Sequence, residues 1–240
     1  MIKLVIFDVW NTLLDLRKLY KILSANLATL ARISQDEAYE LLSKTAARIR
    51  LERRRGVFIS VEDSLKLFEE ETGINEEVLK KALSTTFNEA RNIRIPGALE
   101  TLKALREMGY EIAVLGNTIY WQGALTRLLL AREGLYEYID RSFFSDEIKA
   151  SKPDPKAFMA VINAFKVDEE EALHVGDRAD EDFAGALIAG LNAALITRGV
   201  EKIIRIHRRG FVVPSITSIP EVTKLLDKGS RLEARGSRHP

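Results

Sequence analysis

Two apolar runs in this chain stop at an aspartate. In Lys3 to Asp15, KLVIFDVWNTLLD, the residues Leu4, Val5, Ile6 and Phe7 lead to Asp8, with Asn11 and Thr12 following. The run reads as a strand buried on both faces, so a charge stands at the mouth of a core strand. An aspartate there starts a turn, or serves as a nucleophile or a hard-oxygen ligand. In VGDRADED, Val175 to Asp182, Asp177 follows a strand and a glycine, and Asp180, Glu181 and Asp182 come next. Acids at a helix start are ordinary caps and dipole partners, which accounts for Asp180 and Glu181 but not for an Asp directly after a strand and a glycine. Two segments lie between these runs. Leu115-Gly116-Asn117-Thr118 is a turn leaving a strand, or a set of donors for an anion. Lys152-Pro153-Asp154-Pro155 is a loop closed by a helix start at Pro155, or a cation placed to hold developing negative charge.

The elements that must position these residues follow from periodicity. From Ile95-Pro96-Gly97 onward a βα alternation sets in. Helices are expected over ALETLKALREM, QGALTRLLLAREG, Pro155 to Phe165, DEDFAGALIAG and Pro220 to Leu226. Strands are expected over YEIAVLGN, Ser142 to Ser145, ALHVGD, AALIT and Phe211 to Val213. Such alternation predicts an α/β fold with a doubly wound parallel sheet, which binds ligands outside the carboxyl ends of its strands. Every residue singled out above lies at such an end. From Leu16 to Asn92 the pattern is helical with no clear strand. Ser34 with Glu37 has the form of a capping box, Ser60 opens a helix that Gly73 ends, and Asn75 caps another. This stretch reads as an inserted helical bundle.

With 240 residues, 46% of them hydrophobic, the chain is long enough for a full core. A formal charge of +1 argues against nucleic acid as a partner, and no apolar run approaches the roughly 18 residues of a membrane span. No cysteine and no leader pattern make a cytoplasmic location the expectation. The basic run RIRLERRR (48 to 55) reads as a solvated helix face rather than an anion site, and His174 as a packed core residue. The polar, aperiodic stretch from Gly229 reads as a disordered tail.

Taken in order, the four chemical segments resemble the motifs of the haloacid dehalogenase (HAD) superfamily. Its first motif is hhhhDxDxT, its third a lysine in a KPDP setting and its fourth GDxxxxD, and the helical block resembles the cap of its class I members. The resemblance implies a Rossmann-like core over 1–15 and 93–228, an all-helical cap over 16–92 and a tail over 229–240. It implies that Asp8 is the nucleophile, that Thr12 is the motif threonine, and that Gly116, Asn117 and Thr118 surround phosphate oxygens. Lys152 would bridge the nucleophile and the phosphoryl group. Mg2+ would sit on Asp8, the backbone carbonyl of Trp10 and Asp177, with Asp182 acting directly or through water.

The chain departs from the phosphatases of that superfamily at Trp10, where they carry a second aspartate that protonates the leaving alcohol and activates water, and at Gly116, where they carry Ser or Thr. The implied activity is magnesium-dependent hydrolysis of a small phosphate ester, weakened by Trp10. Arginines in the helical block (Arg17, Arg48, Arg50, Arg53 to Arg55) suggest an anionic substrate. The alternatives are a binding or regulatory module that lost the chemistry, and a 2-haloacid dehalogenase. The last resembles this chain in the aromatic residue at Trp10, but has no intact GDxxxxD and a tyrosine where this chain has Phe158.

Overall fold

The structure, a computed structural model, describes residues 1–236. Strand β1 (Leu4–Phe7) is followed by four helices, α1 (Leu16–Ala31), α2 (Gln35–Arg54), α3 (Val61–Thr72) and α4 (Glu76–Glu89). Helix α5 (Ala98–Glu107) leads to β2 (Glu111–Gly116), α6 (Gly123–Arg132), β3 (Arg141–Phe144), the short α7 (Ser145–Ile148), α8 (Pro155–Phe165) and β4 (Ala172–Gly176). After a π-helical turn at Ala179–Ala184 come α9 (Gly185–Ile188), β5 (Asn192–Ile196), β6 (Ile204–His207), β7 (Gly210–Val213) and α10 (Ile219–Gly236). The helix starts are chemically marked. Asp15, Ser34, Ser60, Asn75 and Asp154 each accept a backbone N–H of the first turn, and Pro155 occupies the start of α8.

The strands form one sheet in the order β3-β2-β1-β4-β5-β7-β6, with every pairing parallel except β6 against β7. All of β1 is buried, as its unbroken apolar run requires. Alternation sends Val5 and Phe7 to the face shared with Val114, Val175 and Leu102, and Leu4 and Ile6 to the face shared with Leu115, Phe158 and Val161. Since β1 pairs with both β2 and β4, the sheet order reverses beside β1, and the crevice for a ligand opens above the ends of β2, β1 and β4.

Helices α1 and α4 pack together, and α2 packs on both α1 and α3. The loop after β2 binds these helices to the sheet. Trp121 sits edge-on to Trp10 at 5.4 Å, to Phe87 of α4 at 5.6 Å and to Tyr20 of α1 at 6.5 Å. Beside it the Tyr120 hydroxyl donates to the Leu42 carbonyl of α2 at 2.7 Å.

Of the elements that differ from expectation, two show why a sequence reading misses them. Strand β6 was not foreseen because all four of its residues are exposed, which leaves no alternation to read. Helix α10 continues to Gly236, through most of the stretch expected to be a disordered tail. Leu232, Glu233, Ala234 and Arg235 are strong helix formers, and local propensity extends the helix where no apolar period is evident. Residues 237–240 of that tail lie outside the described residues. Among the described residues no helix is long and apolar enough to cross a membrane.

Trp121 is 4% exposed and joins two helices to the sheet. Trp121→Ala is therefore expected to lower the unfolding free energy by about 3–5 kcal/mol, measured by urea denaturation. A loss below about 1 kcal/mol would contradict this role.

Candidate active site

Three strand ends and one loop bring the site together. Asp8 leaves β1, Asn117 leaves β2, Asp177 leaves β4, and Lys152 enters from the loop before α8. Lys152 is 1% exposed, and its Nζ donates to Oδ1 of Asp8 and to Oδ1 of Asp182, each at 2.7 Å. Asn117 holds the lysine's backbone at both ends. Its Oδ1 accepts the Lys152 N–H at 2.9 Å, while its Nδ2 donates to the Lys152 carbonyl at 2.9 Å and to Oε2 of Glu181 at 3.0 Å.

Asp182 is fixed as firmly. Oδ1 also faces Nε2 of His174 at 3.1 Å, and Oδ2 accepts the Arg178 N–H at 3.0 Å. The carboxylate lies so close to Gly176 that a Cβ there would come within 2.3 Å of its carbon and of Oδ2. Glycine ends β4 because Asp182 occupies the space a side chain would take.

Burial and charge set the protonation states. Burial pushes Asp8 up to about 8, against the pull of Lys152 and with a further push from Asp182 and Asp177. Burial and Asp182 likewise raise Asp177 to about 6, while Asn11 opposes the rise. Lys152 is held above the usual lysine range, since Asp182 and Asp8 outweigh its burial. Asp182 is held well below the carboxylate range by Lys152 and His174 in spite of its burial. His174, pulled down by burial to about 4, is neutral and donates from Nε2 to Asp182.

One ammonium thus faces three carboxylates, Asp8, Asp177 and Asp182, whose ligand oxygens lie within 4.8 Å of one another. An all-oxygen donor set of three crowded acids against one ammonium fits a hard divalent cation. Asp182 gives one oxygen to Lys152 and His174 and the other to the Arg178 N–H, whereas Asp8 is bonded by Lys152 and Asp177 by Asn11.

The structure distributes the other expected residues unevenly. Trp10 lines a cavity of about 80 Å3 together with Asp8, Asn117 and Asp177. Gly116 packs against Phe144, whose ring a Cβ would meet at 2.9 Å. Thr118 is turned to Ser145, to which its N–H donates at 2.9 Å and with which its hydroxyl shares a 2.9 Å bond. Thr12 is fully buried in the turn after β1, and its hydroxyl has no partner among the described residues. Neither threonine lines the cavity.

Other residues reach the site, and of these the sequence connects only the arginines of the helical block with the substrate. Asn11, at φ 61°, donates from Nδ2 to Asp177 at 3.2 Å and accepts the Leu16 N–H at 3.3 Å, a use of asparagine's tolerance for the left-handed region. Glu181, expected as a helix-start acid, is 4% exposed and held by Asn117. His174 is in the core, 5.1 Å from the Phe158 ring, yet also steadies Asp182. The basic run is not a solvated face throughout. Arg50 and Arg53 line the cavity, Arg53 is 3% exposed, and Nε of Arg54 meets Asp180 at 3.1 Å. The last turns of α2 lie over the strand ends, a placement that sequence periodicity does not reveal.

A family profile described as haloacid dehalogenase-like hydrolase matches residues 2–190. The chain belongs to this family. Its HAD motif residues Asp8, Lys152, Asp177 and Asp182 are those that meet at the strand ends. The chain is 35% identical over 107 residues to a glyceraldehyde 3-phosphate phosphatase of Methanopyrus kandleri, covering 43% of each chain. It is 30% identical over 148 residues to a protein of the same name from Pyrococcus furiosus, covering 60% of this chain and 59% of that one. The chain thus spans 43% and 59% of the lengths of these relatives. A HAD phosphatase from Thermococcus onnurineus superposes with a TM-score of 0.64 at 25% identity, covering 92% of this chain and 98% of that one.

A methyl group at Gly176 has to displace the Asp182 carboxylate from Lys152. Gly176→Ala is expected to cost about 1–3 kcal/mol of stability in chemical denaturation, the range for forced overpacking. Wild-type stability in the variant would contradict the packing reason for this glycine.

Proposed function

We propose that the protein is a magnesium-dependent phosphohydrolase of small phosphate esters that works through an aspartyl-phosphate on Asp8. The observation that carries this reading is the shared Lys152 ammonium, 2.7 Å from both Asp8 and Asp182, beside a cavity that Asp177 also lines. A carboxylate Oδ of Asp8 attacks phosphorus and the bond from phosphorus to the ester oxygen breaks. Water then attacks the phosphorus of the aspartyl-phosphate, which releases phosphate and regenerates the carboxylate. Lys152 balances the charge gathered on the phosphoryl oxygens, and Asn117 with Asp182 keeps its ammonium in place.

Asp8, the Trp10 carbonyl and Asp177 would hold Mg2+, which when bound neutralises charge on the phosphoryl group. Asp182 serves here chiefly as the anchor of Lys152. Thr118, with donor and hydroxyl both on Ser145, is assigned a structural role instead of the substrate contact expected from the sequence. Residues 16–92 act as a cap. The cavity beneath α2 is small, so substrate enters by rigid-body opening about the connections near residues 14–16 and 92–97.

The names of the relatives support a small phosphate ester as substrate. Buried Phe158, packed on His174, has no hydroxyl to serve dehalogenation. Hydrolysis of phosphate esters with and without Mg2+ tests the reading. Wild type should show metal-dependent release, and Asp8→Asn, folded by circular dichroism, should lose it by a factor of at least roughly 10³. A folded Asp8→Asn that retains turnover would overturn the mechanism.

Trp10 adds a second expectation. An indole N–H neither protonates a leaving alkoxide nor activates water, and general acid catalysis is worth about 10² to 10⁴ in rate. Turnover should therefore be slow and favour esters with good leaving groups. Trp10→Asp should raise the rate for alkyl phosphates more than for aryl phosphates. Equal wild-type rates on sugar and aryl phosphates would show that another group supplies the proton.

A further inference from the structure

Within the basic run of α2 the arginines divide by direction. Arg48 pairs with Glu71, Arg54 with Asp180 at 3.1 Å and Arg55 with Glu52 at 3.0 Å. Arg50 and Arg53, the two that line the cavity above Asp8, have no such partner among the described residues. Arg53 is 3% exposed; one Nη donates to the Thr118 carbonyl, while Nε and the other Nη find no acceptor among the described residues. Burial, helped by the charge of Arg50 and opposed by that of Glu181, pulls its guanidinium down to about 10. Spaced three residues apart, the two cations share one face of the helix and repel each other.

Acids are near, but their bonds lie elsewhere. Glu181 accepts from Asn117 through Oε2 at 3.0 Å, while its Oε1 faces Arg178 at 3.4 Å without a hydrogen bond and its charge offsets only part of the burial of Arg53; Asp8 takes Lys152 at 2.7 Å, and Asp177 takes Asn11 at 3.2 Å. A buried cation with unused donors is costly, and an anion seated against it removes the cost. A guanidinium fork suits a carboxylate or phosphate, which it can grip with two N–H groups.

We propose that Arg53, assisted by Arg50, binds a second anionic group of the substrate, so that the preferred substrates are short phosphate esters that also carry a carboxylate or a further phosphate. The inference rests on the phosphohydrolase reading for the placement of the phosphoryl group at Asp8 and Lys152. The second anion lies on the α2 side of the cavity. A volume of about 80 Å3 restricts the spacing to a few bonds. Arg53 is then a specificity residue, reading the substituent rather than the reacting group.

The test is calorimetric binding of two non-hydrolysable phosphonates to the full chain with Mg2+. They are 3-phosphonopropionate, which carries a carboxylate, and propylphosphonate, which does not. Wild type should bind the first at least about 10-fold more tightly, as a charge-assisted pair would give. Arg53→Gln should bring that preference to within about 3-fold while shifting propylphosphonate by no more than about 3-fold. Arg50→Gln should reduce the preference in part, which keeps the proposal open to test if Arg53→Gln does not fold.

Equal wild-type affinities would overturn the proposal. So would a variant that weakens both ligands alike, because Arg53 would then grip the phosphoryl group itself. Selective binding without turnover of any ester would sink the phosphohydrolase reading and leave the anion clamp standing.

Discussion

A buried lysine ammonium shared by two carboxylates is the constraint on which the site depends. Lys152 has almost no contact with solvent, and its charge is tolerable only because Asp8 and Asp182 both lie at 2.7 Å. Taking one partner from a buried ion pair costs roughly 3–5 kcal/mol, since the remaining charge is left uncompensated. The pair is therefore a geometric commitment. Whatever else moves, the ammonium stays beside Asp8.

Several features far apart in sequence serve this commitment. The sheet order sets β1 between β2 and β4, so residues leaving all three strands converge on one crevice. Asn117 fixes the lysine's backbone, and the Arg178 N–H and His174 fix Asp182. Gly176 supplies the space that Asp182 fills. The charges remain unequal, since burial and mutual repulsion raise Asp8 and Asp177, and that imbalance is the physical basis for expecting a divalent cation there.

The parts legible in the sequence were those with a local signature. The apolar run of β1, the Ser34, Ser60 and Asn75 caps and the alternation after Gly97 require only neighbouring residues, and the elements appear where they point. Asp8, Lys152, Asp177 and Asp182 were legible because each stands at a strand mouth or in a motif of fixed spacing. Arg53 and Arg50 were legible only as members of a basic block that suggests an anionic substrate, not as the two that face the site. A basic run on a helix looks the same whether it faces water or a cavity, and only the packing of α2 over the sheet distinguishes the two. Thr118 shows the converse limit: its position fits a substrate contact, while the bonds of its N–H and hydroxyl to Ser145, 27 residues on, have no local signature. The helical end of α10 and the exposed β6 lacked any apolar period to read.

The central claim is that Asp8 carries the phosphoryl group covalently. It is tested most directly by quenching the protein in acid during turnover of an acyl or aryl phosphate, reducing with borohydride and sequencing the peptide around residue 8 by mass spectrometry. Borohydride converts an aspartyl-phosphate to homoserine, so the account predicts homoserine at position 8 and unchanged aspartate at positions 177 and 182. Turnover with unmodified Asp8, or with the label on another residue, would contradict it.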